Sequence, residues 1–308
     1  MKRFLKWTLL GGLSLLVLMV AMIALIAATE TGTGVAWNLV SKFMPDELKV
    51  TAVEGRLFGP LVVRGIDYRA REFRLRVREG ELRWSPRDLL SHRTLTIALV
   101  KVDGVRYSQL RAAPQPPSKE KSVPLDLPKA IDLPLNVRFR EFLLQDLEYR
   151  PARDVKPWVL RSASLSAAYV DSFLNVDRLE IDAPRLELDG RARIDMSGAY
   201  PLKAAFGWEA RPPDYSPASG RTVLTGTLRH GLKLVQTLGP PYTARAQVVI
   251  NEPLKTPAFD TRLNLDSIEL RAIDKTLPPL TLSARARAGG TPQHVKLRAR
   301  ASVHEPQH

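Results

Sequence analysis

Apolar and polar residues alternate along most of this chain with a period of two. Phe73, Leu75 and Val77 alternate with Arg74, Arg76 and Arg78, and Leu95, Ile97 and Leu99 with Thr96 and Ala98. The same beat returns at Leu179, Ile181 and Ala183, at Leu186 and Leu188, at Ala192, Ile194 and Met196, and at Leu202, Ala204, Phe206 and Trp208. It persists through Ala244, Ala246, Val248 and Ile250, Leu263 with Leu265, Leu280 with Leu282, and Leu297 with Ala299. Successive strand side chains point to opposite faces, so this pattern predicts half-buried strands. Asp103-Gly104, Asp189-Gly190, Ser197-Gly198 and Gly289-Gly290 carry turn chemistry and divide the runs into hairpins or a meander. Helix is scarce. One turn is expected where Ser85 can cap, Pro86 can take the first helical position, and Leu89 and Leu90 can pack inward. Arg229 to Leu238 reads either way.

The N-terminus has a different pattern. Lys2, Arg3 and Lys6 precede an uncharged, Leu-rich run from Trp7 to Thr29. About 23 residues at ~1.5 Å each cross a hydrocarbon core. Its leucines, isoleucines and valines favour insertion by roughly 3 to 7 kcal/mol. The apolar part of a cleaved signal is about 7 to 15 residues, so length favours an anchor at 7–29, while the small Ala27 and Ala28 leave cleavage open; either way the basic flank 1–6 is cytoplasmic and the remainder exported. Thr31-Gly32-Thr33-Gly34 lacks the preceding strand and following Lys of a phosphate loop and reads as a turn. Thr33 then caps a short interfacial helix within 30–48 whose Val35, Ala36, Leu39, Val40 and Phe43 share a face, with Trp37 and Lys42 at the membrane boundary and Pro45 as terminator.

A many-stranded sheet with one apolar face must hide it by folding onto a second sheet, by closing as a barrel, or by holding something else apolar. No long amphipathic helix is available as a cover. The lining is mostly Leu, Ala, Val and Ile, which suits a groove as well as a packed core. The strand pattern falls into two segments, 49–111 and 136–300, before a polar tail at 301–308. Between them, 112–135 opens with a Pro-rich charged stretch and continues through Val123-Pro124-Leu125 and Leu133-Pro134-Leu135. Pro cannot donate to a ladder, so this stretch reads as a solvated excursion followed by an edge or extended crossing.

Composition narrows the chemistry. The formal charge is +14 and the pI about 10.2, which favours acidic partners such as nucleic acid or anionic headgroups. Export behind an anchor argues against nucleic acid. There is no Cys, so disulfides, a thiol nucleophile and Cys-ligated metals are excluded. The five His are scattered, and only His304 and His308, in the tail, have a helical i, i+4 spacing. No Gly-x-Ser-x-Gly elbow or Gly-x-x-x-x-Gly-Lys loop occurs. Carboxylates such as Glu180 and Asp182 fall on the polar beat and read as solvated surface. An enzyme is not expected, nor is a cofactor or a metal.

Several ordered pieces then carry a resemblance. Val53-x-Gly55-x-Leu57-x-Gly59-Pro60-Leu61-x-Val63-x-Gly65-Ile66-x-Tyr68 follows the anchor and the helix around Trp37. Gly80-x-Leu82-x-Trp84-x-Pro86-x-x-Leu89-Leu90 comes next, then Leu133-Pro134-Leu135 leading into Leu147. In this order, over roughly the first half, the chain resembles the N-terminal part of the TamB family, the AsmA-like translocation and assembly module proteins of Gram-negative envelopes. Members are typically several times longer. The resemblance implies a mainly β fold: an N-terminal transmembrane helix and short amphipathic helix, then a long curved antiparallel sheet forming an open groove, or β-taco. It implies a single-pass inner-membrane protein whose bulk is periplasmic and whose groove shields phospholipid acyl chains between the two membranes. It also implies, as the alternative, a scaffold for assembly or secretion of outer-membrane β-barrels with a TamA-like barrel partner. By alternation the groove face is expected to comprise Phe73, Leu75, Val77, Leu95, Ile97, Leu99, Leu179, Ile181, Ile194, Leu202 and Phe206.

Overall fold

The computed structural model describes residues 29, 34 and 47–304, apart from 111–127, 129, 153–154, 214, 256, 274–275, 279 and 292–293. The anchor with its flank Lys2, Arg3 and Lys6, nearly all of the interfacial helix, and most of the Pro-rich stretch lie outside these residues. No helix among the described residues is long and apolar enough to cross a membrane. The fold is mainly β, a long antiparallel sheet built from seventeen strands among the described residues. The chain divides into two compact units, Met1–Ala113 with Leu144–Trp158, and Pro114–Leu143 with Val159–His308.

The first unit holds β1 (Leu48–Lys49), β2 (Ala52–Gly55), β3 (Leu61–Arg69), β4 (Phe73–Ser85), β5 (Thr94–Asp103), β6 (Arg106–Gln109) and the end of β7 (Asn136–Arg150). β3 pairs with β1, β2 and β4. The long β4 divides its other edge, pairing with β6 over Phe73–Arg76 and with β5 over Glu79–Ser85. β6 runs parallel to β7. The short helix α1 (Pro86–His92) begins where expected: Pro86 opens it, and the Asp88 N–H donates to the Ser85 hydroxyl at 3.4 Å. Its packing differs from expectation. Leu89 is half-buried, but Leu90 points away and is 87 % exposed, because a two-turn helix shows the sheet only one of two adjacent leucines.

The second unit is a meander. It contains the start of β7, then β8 (Trp158–Val170), β9 (Phe173–Ala183), β10 (Leu186–Asp195), β11 (Pro201–Ala210), β12 (Ala218–Thr227), β13 (Gly231–Leu238), β14 (Ala244–Asn251), β15 (Ala258–Glu269), a single helical turn α2 (Leu270–Ile273), β16 (Thr281–Thr291) and β17 (His294–His304). From β8 to β17 each strand is antiparallel to the next. The ambiguous stretch after Arg229 is strand β13. Two expected turns are not turns. Asp189-Gly190 lies within β10 and Gly289-Gly290 within β16, while Ser197-Gly198 does turn the chain between β10 and β11. The tail expected from 301 is still strand to His304.

The buried side chains of this unit lie at the two ends of its strands, Ala167, Tyr169, Tyr200, Leu202 and Ala204 at one end and Leu160, Ala183, Ala244 and Ile268 at the other. Tyr200, 1 % exposed, donates its hydroxyl to the Pro128 carbonyl at 2.9 Å. The Tyr169 hydroxyl donates to the Ile131 carbonyl at 2.8 Å and accepts from the Leu133 N–H at 3.2 Å. Ala130 bridges Ser197, and the Ile131 N–H donates to the Met196 carbonyl at 3.0 Å. The Leu133-Pro134-Leu135 region is therefore an extended crossing, strapped down by two tyrosines because its prolines offer few donors of their own.

Candidate functional site

Residues paired across a strand ladder point to the same face, so the register shows which side chains share a surface. In the second unit one row runs Ala167, Val176, Ala192, Ala204, Leu224, Leu234, Val248, Thr261, Ala288, Leu297, one residue from each of β8 to β17. The next runs Leu165, Leu179, Gly190, Phe206, Thr222, Gln236, Ala246, Leu263, Ala286, Ala299. Two further rows flank these. One passes through Leu174, Ile194, Leu202 and Leu232, the other through Ile181, Leu188, Trp208 and Leu238. A single apolar face thus crosses ten strands. At ~4.8 Å per strand its stack measures roughly 43 Å, more than twice the hydrocarbon depth of one leaflet, about half of a ~30 Å core.

Within these rows polar side chains occur at Thr222, Gln236 and Thr261, and the first two satisfy each other: the Thr222 hydroxyl donates to the Gln236 carbonyl oxygen across β12 and β13. A core between two packed sheets would bury such positions completely. Here Leu224, Leu234, Val248 and Leu263 are only half-buried. Full burial on this face occurs at the strand ends, beside the strap at Ala167, Tyr169, Leu202 and Ala204 and at the opposite end at Ala183, Ala244 and Ile268. Among the described residues the middle of this face is apolar surface that is only partly covered.

Two glycines shape this face. A Cβ at Gly190 would meet the Phe206 ring, and one at Gly220 would sit 2.8 Å from Trp208 Cζ2. Each ring therefore lies down over a glycine on the neighbouring strand instead of standing out from the sheet. That is why Asp189-Gly190 remains strand: its glycine makes room for an aromatic, and the backbone continues. Gly220 serves the same purpose under Trp208.

The reverse side is polar and largely neutralised over its first strands. Arg161 grips Asp182, with Nε donating to Oδ2 at 2.9 Å, and this holds the carboxyl below its usual range. Arg211 bridges Glu187 at 2.8 Å and Glu209 at 2.9 Å. The Ser197 hydroxyl and N–H lower Asp195. Glu180 accepts from Ser164 at 3.1 Å. Among the described residues no group of three or more His, Asp or Glu side chains could hold a metal.

The expected groove residues fall out as follows. Leu179, Ile181, Ile194, Leu202 and Phe206 all lie on the one apolar face of the second unit. In the first unit, Leu75 faces Tyr68 and Tyr107, and Val77 faces Ile66. Phe73 sits in an aromatic line, with ring centroids 5.7 Å from Tyr68 and 5.3 Å from Tyr107, which in turn stacks on Tyr149 at 5.4 Å. The alternation did not reveal those tyrosines, because they join the line only through cross-strand register. Leu95, Ile97 and Leu99 do not share a face. A β-bulge at Ala98 sets Ile97 opposite Trp84 but Leu99 opposite Arg83, and a one-residue slip exchanges faces. The buried residue in that strand is Thr96, at 4 % exposure, while Leu95, Ile97 and Leu99 keep partial exposure. Arg74 and Arg64 on this unit are ion-paired, to Asp67 and to Glu54 with Glu79.

No curated protein and no solved structure matches the chain. The family model described as TamB, N-terminal domain, matches it twice, over residues 18–132 and 108–306. Those stretches take in both β units, and the chain belongs to the TamB family.

Proposed function

We propose that the apolar face of β8–β17 is a lipid groove that shields phospholipid acyl chains in transit between the inner and outer membranes, in support of outer-membrane biogenesis. The observation that carries this is the ten-strand apolar face, half-buried over its middle strands and exposed on β17, whose two central rows are interrupted only by Thr222, Gln236 and Thr261. Each methylene moved from water onto such a surface gains about 0.8 kcal/mol, so an acyl chain is the natural occupant of an apolar strip of this length. No reacting group is needed, since the lipid leaves as it arrived. In this reading the span 7–29 holds the chain in the inner membrane with Lys2, Arg3 and Lys6 inside, and the groove of β8–β17 lies in the periplasm.

The test is site-specific photocrosslinking of the full chain in envelopes. Probes at Ile194, Leu224 and Val248 on the apolar face are expected to capture phospholipid, and probes at Arg193 and Thr225 on the reverse side are not. Protein adducts in place of lipid at the first three positions would instead make this face a seat for β-barrel clients or a TamA-like partner. Equal lipid capture on both faces would remove the groove.

A further inference from the structure

On the reverse side of β15–β17 arginine faces arginine across two successive ladders. Register sets Arg262 opposite Arg287 and Arg287 opposite Arg298, while Arg285 lies opposite Arg300. Like charges directly across a ladder repel, and where Arg64, Arg74, Arg78, Arg161 and Arg211 point outward each is answered by an acid. These five arginines have no ion pair among the described residues. Asp260 and Asp266, on the same face of β15, make none either, and all five guanidinium-bearing residues are exposed. Asn264, Ser283 and Ser302 flank them on the same face, with no aromatic ring among them. A self-repelling lattice of cations on a regular sheet is stabilised by an external anion array.

We infer that the outward face of β15–β17 docks onto an anionic bilayer surface, its arginines taking lipid headgroup phosphates. Guanidinium forks match phosphate oxygens, and a flat two-dimensional lattice of them matches a surface of many phosphates better than one small ion. The absence of stacking rings argues against single-stranded nucleic acid, which pairs cations with aromatic platforms. The choice of a lipid surface rests on the lipid-groove reading, but the site lies on the opposite side of the sheet and is tested separately.

The experiment uses the full chain held in phosphatidylcholine nanodiscs and measures its capture by separate vesicles. Capture is expected with vesicles containing phosphatidylglycerol and not with pure phosphatidylcholine, and it should vanish between about 50 mM and about 500 mM salt as the screening length shrinks. Each arginine removed should weaken capture about fivefold, so R262Q/R287Q/R298Q should lose on the order of 100-fold. The same three positions as lysine should retain most of it, which separates charge from misfolding, and R64Q/R161Q should change nothing. Unchanged capture by the triple glutamine variant overturns the inference. So does inorganic phosphate displacing vesicles at millimolar concentration at constant ionic strength, which would make this a small-anion site, or tighter binding of a DNA duplex lost in the same variant. Photocrosslinking failing at Ile194, Leu224 and Val248 while vesicle capture persists would remove the groove alone.

Discussion

Leu234 occupies the middle of the apolar face, with Leu224 on one side and Val248 on the other. Replacing it with Asp places a carboxylate where an acyl chain is to lie. The cost to the fold is small because Leu234 is only half-buried. Full burial of a leucine is worth about 1.5 to 3 kcal/mol, so about half of that is lost, with up to ~1 kcal/mol more for Asp in a strand. A total of about 2 kcal/mol is tolerable against a typical stability of about 5 to 15 kcal/mol. The cost to a lipid is larger. A carboxylate at hydrocarbon depth costs about 2.5 to 3.5 kcal/mol, which lowers acyl occupancy at that point roughly 70- to 400-fold. The assay is photocrosslinking from a probe at Val248 in the same row, read by mass spectrometry, with urea unfolding in parallel. Leu234→Asp should shift the urea midpoint modestly and abolish lipid adducts, and Leu234→Met should leave both near wild type. A folded Leu234→Asp protein whose adducts fall less than about threefold refutes the idea that lipid lies along this face.

Three further outcomes follow from particular contacts. Gln236→Leu alone leaves the Thr222 hydroxyl without its acceptor, a loss of about 1 to 3 kcal/mol where water is excluded, and Thr222→Val with Gln236→Leu should recover most of it; a double-mutant cycle by urea unfolding should give a larger coupling in lipid-loaded than in lipid-free protein. Gly190→Val drives a side chain into the Phe206 ring and should destabilise by about 1 to 3 kcal/mol, while adding Phe206→Ala should restore more than half; no rescue would mean the ring does not rest on that glycine. Asp67 and Asp182 are held below their ordinary value, 3.8, first by hydrogen bonds from Arg74 and Arg161. A depressed folded-state pKa contributes stability that is present above the unfolded-state value and is lost as pH falls through the folded one. The urea midpoint should therefore hold from neutral pH to about 5 and drop below about 4, with R74Q/R161Q flattening that acid limb; an identical limb in the variant would assign the loss to other groups.

The period of two was enough to predict a strand-built chain with one apolar and one polar side, because Cβ direction alternates whatever the tertiary context. Leu179, Ile181, Ile194, Leu202 and Phe206 reach a common face for that reason alone, and Ser85-Pro86 opens a helix because cap and first turn are local. The same local reasoning failed where a distant partner decides. Gly190 carries local turn chemistry but stays in strand because the Phe206 ring lies over it, and Leu99 parts from Ile97 because a bulge against β4 shifts the pairing by one residue. Tyr68, Tyr107 and Tyr149 are far apart in sequence and line up through register alone. The composition of the apolar beat is the same for a closed core and for an open face, so only side-chain exposure in the folded sheet could distinguish them. The arginine lattice of β15–β17 was likewise invisible in a net charge of +14. Each of those arginines sits on an unremarkable polar beat, and their mutual repulsion exists only once three strands bring them side by side.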